Sequence, residues 1–104
     1  MIRVYKFSSE WDKSKETYNP IFDKVSKGFN NPDIEFMGVD VEESAELASK
    51  FKIKFVPTTL IEVNSFVKFN RVGVLSESDL IAEINKVCEP KEVGEKILSE
   101  CTAN

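Results

Sequence analysis

The chain has 104 residues, 41% hydrophobic and 31% charged, a length and balance suited to one soluble domain whose core needs no metal or disulfide to hold it. Fourteen Lys and Arg against eighteen Asp and Glu leave a net charge of −4, which disfavours nucleic acid and anionic membrane as partners. There is no His, so imidazole catalysis, a His-ligated metal and a His pH switch are excluded.

Residues 1–7, Met-Ile-Arg-Val-Tyr-Lys-Phe, interleave charges with apolar side chains, unlike the basic start and unbroken apolar run of a signal peptide. No apolar stretch nears the roughly 20 residues that span a bilayer, so a cytoplasmic protein is expected. Val4, Tyr5 and Phe7 among polar neighbours predict a strand over about 2–8, ending at Ser8-Ser9. Lys6 should lie on the opposite face from Tyr5 and Phe7, its stem packed and its ammonium reaching solvent.

From Asp12 onward, Tyr18, Ile21, Phe22, Val25 and Phe29 recur at helical spacing, with Asp12 or Ser14 as N-cap and Gly28 near the stop. Pro20 removes one backbone donor within that helix and predicts a kink. After the turn cluster Asn30-Asn31-Pro32-Asp33, the run Ile34–Val41 is apolar on both faces, as in a strand at the centre of a sheet. Ala45, Leu47, Ala48 and Phe51 predict a short helix over 44–51.

Two β-rich runs, 58–63 and 66–72, are separated only by Asn64-Ser65, which predicts a tight antiparallel hairpin. Ser76-Glu77-Ser78-Asp79 has the form of a capping box, followed by Leu80, Ile81, Ile84, Val87 and Cys88 on one helix face. Pro90, Val93, Ile97, Leu98 and Cys101 suggest a further short helix, weakened by Gly94. The order is therefore βαβαββα over 1–88, an α/β domain with a mixed four-stranded sheet flanked by helices. A helical extension over 89–104 is expected to pack on the same domain.

Three stretches in this order resemble the thioredoxin family. Ser9-Glu10-Trp11, with Pro20-Ile21 beginning nine residues after the Trp, is similar to the start of the family's kinked helix at Trp-Cys-Gly-Pro-Cys. Val39-Asp40-Val41-Glu42-Glu43, then Glu46–Ile53, then Val56-Pro57-Thr58, is similar to the stretch that ends in the family's cis-proline. Val72-Gly73-Val74-Leu75-Ser76 resembles the Gly-containing turn before the last helix. The resemblance implies a thioredoxin-like fold without the family's first strand and helix. Where the family has Cys-Gly-Pro-Cys this chain reads Asp12-Lys13-Ser14-Lys15, and Lys6 stands where the family usually has a buried Asp.

Thiol-disulfide exchange needs an attacking thiolate and a resolving thiol, and neither Asp12 nor Lys15 supplies one. At spacing i, i+3 these two are expected either to form an exposed ion pair on the first helical turn or to be an ordinary solvated helix start. Cys88 and Cys101 fall on apolar helix faces with no Cys-x-x-Cys context, which suits inert packing; a relocated redox pair is the alternative. In the family the Trp flanks the active-site groove and the cis-proline loop pairs with a bound peptide, so the resemblance implies a groove at Trp11, Val56, Pro57 and Gly73, with Asp12 and Lys15 at its edge. The alternative is that Trp11 and Pro57 only hold the fold. The expected protein is a redox-inactive adaptor for a protein or extended peptide, without cofactor or metal; a Cys88/Cys101 redox protein and a structural assembly subunit are its rivals.

Overall fold

The computed structural model describes residues 1–88. The helix expected over 89–104, its docking, and any pairing of Cys88 with Cys101 lie outside the described residues. The elements run β1 (Ile2–Ser8), α1 (Lys15–Gly28), β2 (Ile34–Asp40), α2 (Ala45–Lys50), β3 (Thr58–Val63), β4 (Phe66–Val72) and α3 (Glu77–Cys88). The sheet order is β2-β1-β3-β4, with β1 parallel to β2 and antiparallel to β3, and β3 antiparallel to β4.

Alternation along the strands sends side chains into two separate cores. On one face Val4, Ile34 and Ile61 meet Tyr18, Phe22 and Val25 of α1 and Leu80 and Ile84 of α3. On the other, Tyr5, Phe7, Val39 and Leu60 form a second cluster, with Met37, Leu47 and Phe51 packed against it. Tyr5 and Phe7 thus face away from the α1 side, as the strand period requires.

Sheet order corrects the reading of β2 as a central strand. The crossover through α1 places β2 beside β1 at the margin of the sheet, and β3 takes the other side of β1. β2 nevertheless reads as apolar on both faces because both are covered: Ile34 and Phe36 belong to the α1 side, Met37 and Val39 to the α2 side. Covering helices, rather than flanking strands, set its hydrophobicity.

Of the two N-cap candidates for α1, Ser14 takes the position. The helix begins at Lys15, behind two successive turns in which Asp12 N–H donates to Ser9 C=O (3.2 Å) and Lys15 N–H to Asp12 C=O (3.2 Å). Asp12 does not cap the helix; its Oδ1 accepts from the Ser14 N–H (2.9 Å) and hydroxyl (2.7 Å), a local ring that short polar side chains favour in turns. None of the ion pairs among the described residues joins Asp12 to Lys15. Pro20 lies inside α1, whose assignment runs unbroken across it.

The hairpin turns on Asn64 (φ 49°) and Ser65 (φ 73°), both left-handed as a two-residue type I′ connection requires. At α3, Ser76 Oγ accepts the Asp79 N–H at 3.1 Å, supplying the cap predicted from sequence.

Candidate functional site

β1 ends at Ser8, whose carbonyl accepts the Val41 N–H at 2.8 Å and so ties the exit of β1 to the exit of β2. The following turn from Ser9 to Asp12 carries Glu10 and Trp11 at its tip, and Trp11 is 69% exposed. Facing it is the loop between α2 and β3, where Phe55 is 64% exposed and the Val56–Pro57 peptide bond is cis. Trp11, Val41, Ile53, Lys54, Phe55 and Val56 line one cleft of about 340 Å³, within the usual size of small binding sites.

Pro57 is buried behind this cleft. Its carbonyl accepts the Gly73 N–H at 2.8 Å, while Gly73 adopts φ +105°, a region L side chains rarely enter. The Thr58 hydroxyl donates to Phe55 C=O at 2.6 Å and fixes the loop from its other end. Among the described residues, no backbone hydrogen bond outside helices and strands involves Val56. Of the residues expected at the groove, Trp11 and Val56 line the cleft, and Pro57 and Gly73 are joined beside it by their hydrogen bond. Asp12 and Lys15 do not line the cleft. Val41, Ile53, Lys54 and Phe55 are the lining residues the sequence did not single out; an apolar Phe between Lys54 and Val56-Pro57 was their one visible signal.

Beneath the turn lies Lys6, only 8% exposed. Its Nζ donates to Asn19 Oδ1 and lies 5.1 Å from the centroid of the Phe22 ring. No ion pair among the described residues includes it. This corrects the expectation of a side chain that snorkels freely to solvent: the residue is buried on the face of β1 that α1 covers, and its amine is held by Asn19 of that helix. Burial pushes the Lys6 amine below the usual lysine range and Lys15 adds to the effect, while Asp12 and Asp23 oppose it. Nearby, the Tyr18 hydroxyl and Thr59 Oγ1 share a buried hydrogen bond, and burial raises the Tyr18 phenol. Among the described residues no group of three or more His, Cys, Asp or Glu is arranged to hold a metal, and no helix is long and apolar enough to cross a membrane.

A family model for thioredoxin matches residues 2–86. The chain belongs to the thioredoxin family. This thioredoxin-family chain is 32% identical over 84 residues to putative thioredoxin 2 of Streptomyces coelicolor, covering 78% of this chain and 61% of the relative, so it spans less than two thirds of that protein. It is 28% identical over 79 residues to thioredoxin of Rickettsia bellii, covering 76% and 74% of the two chains. Among solved structures it is similar to one described as "Structure of a malarial protein" (TM-score 0.74, 28% identity, 83% of this chain and 96% of that one). It is also similar to thioredoxin-2, "a component of malaria parasite protein secretion machinery" (TM-score 0.75, 28% identity, 83% and 82%). Within this family frame, Trp11 is followed by Asp12-Lys13-Ser14-Lys15, with no thiol at either end of the tetrapeptide.

Proposed function

We propose that this thioredoxin-family chain is a redox-inactive adaptor that binds an extended segment of a partner protein in the cleft between Trp11 and the Val56–Pro57 loop. The observation that carries the reading is the pairing of two exposed aromatic side chains, Trp11 and Phe55, at a cleft beside a tetrapeptide that holds no cysteine. An exposed Trp at a cleft is the side chain most often found anchoring a protein interface. Val56 stands beside it with backbone groups available for strand addition, which gives affinity through the main chain and specificity through neighbouring pockets. Gly73 and Pro57 hold that loop from behind, and Asp12 and Lys15 order the turn that bears Trp11. A structural neighbour, thioredoxin-2, is described as a component of malaria parasite protein secretion machinery, which is in keeping with partner binding.

The test joins activity with binding. A protein-disulfide reduction assay is expected to give no turnover above background, because exchange requires two thiols in sequence. Titration calorimetry with extended apolar peptides is expected to show binding that Trp11→Ala weakens at least about tenfold, or about 1.4 kcal/mol. The substitution should cost less than about 0.5 kcal/mol of folding stability, since the ring is largely solvated. Thiol-dependent turnover abolished by Cys88→Ser or Cys101→Ser, or peptide binding indifferent to Trp11, would reject the adaptor.

A further inference from the structure

A second cavity, of about 670 Å³, opens on the α1 side of the sheet beside β2, away from the Trp11 cleft. Its wall includes Lys6, Asn19, Phe22, Asp23, Phe36 and Gly38. Lys6 is the one amine among these, and three features of the wall surround it. Asn19 Oδ1 holds Nζ in place through a single hydrogen bond, against the three that an ammonium can donate. Phe22 and Phe36, edge to face with centroids 5.7 Å apart, provide an aromatic lining. Gly38 leaves the strand bare next to the lysine: a Cβ there would sit 3.8 Å from Lys6 Cε, and any longer side chain would extend into the space.

We propose that Lys6 is a nucleophilic amine that captures small aromatic aldehydes in this cavity as an imine. The neutral Nζ lone pair attacks the carbonyl carbon, and transfer of a proton from nitrogen to oxygen gives a carbinolamine. Loss of water then leaves the C=N bond, with no change of oxidation state. Burial favours the neutral amine that begins the step, in the manner of lysines desolvated for Schiff-base chemistry. The charged groups acting on Nζ are Lys15, which adds to this effect, and Asp12 and Asp23, which oppose it. From β2 the facing residues are Phe36 and Gly38, and the cross-strand partner on β3 is Thr59, none of which carries charge. The aromatic lining favours a flat, apolar aldehyde over an aliphatic or anionic one. This proposal is independent of the Trp11 cleft.

The test treats the intact, folded protein briefly with benzaldehyde and sodium cyanoborohydride at neutral pH, so that hydride reduces each imine to a stable secondary amine. Proteolysis and mass spectrometry then locate the adducts. Lys6 should be alkylated faster than the exposed Lys27 and Lys68, because burial leaves more of its amine neutral. Guanidinium should erase that preference, and Asp23→Asn, which removes a carboxylate favouring the ammonium, should increase the Lys6 rate. Alkylation of Lys6 no faster than of the exposed lysines, a preference that survives unfolding, or a Lys6 rate unmoved by Asp23→Asn would overturn the proposal.

Discussion

Lys6 sits on the middle part of β1, where the strand period alone correctly separates it from Tyr5 and Phe7. The period does not say where four methylenes end, because that depends on α1, whose Asn19 is thirteen residues away in sequence. Buried as a residue and in no ion pair among the described residues, Lys6 carries a desolvation cost that an apolar side chain of similar length avoids. Lys6→Met is therefore expected to raise folding stability at neutral pH by about 1 kcal/mol, measured by urea denaturation. The folded pKa lies below the unfolded value near 10.5, so between the two the unfolded chain binds more protons and wild-type stability climbs with pH. The variant lacks that climb. Its advantage should be full below the lowered pKa and vanish as pH approaches about 10.5, the ordinary lysine value. Ionisation of the two tyrosines acts on both proteins and cancels in the difference.

Among the elements, strands and hairpin were legible from residue pattern, since alternation and a two-residue Asn64-Ser65 connection are local signals. The start of α1 was legible only as a choice between Asp12 and Ser14, because Asp12 satisfies the same chemistry in two ways. A side-chain oxygen that could cap a helix instead closes a ring onto Ser14, one turn early. The marginal place of β2 was hidden for a different reason: helices on both faces give a border strand the composition of an interior one. Gly73 shows how the elements are tied at the site. Its φ of +105° directs its N–H to Pro57 C=O, yet no heavy atom lies within 4 Å of where a Cβ would stand. Gly73→Ala should therefore cost about 1–3 kcal/mol through backbone strain alone, with no steric contribution. Thermal denaturation measures the loss. Peptide affinity measured well below the new midpoint should fall as well, because the Pro57 loop shifts with its anchor.

At the scale of the whole molecule, the sheet is the partition between two cores and the source of two separate surface openings, the Trp11 cleft at one end and the Lys6 cavity under α1. The order of motifs along residues 2–88 carried the family, and it pointed to Trp11 and Val56, which line the cleft, and to Pro57 and Gly73, which are hydrogen-bonded to each other beside it. It could not exclude Asp12 and Lys15 from the cleft or add Phe55, since exposure of a loop aromatic depends on what the rest of the chain leaves uncovered. That exposure makes the molecule its own reporter. Trp11 is the one tryptophan in the sequence, and its indole is already in water in the native state. Unfolding in urea should therefore shift its fluorescence emission little while far-ultraviolet circular dichroism collapses. A segment docking in the cleft dehydrates the indole and should move its emission to the blue, so the same optical signal that stays nearly silent through denaturation would trace occupancy of the cleft.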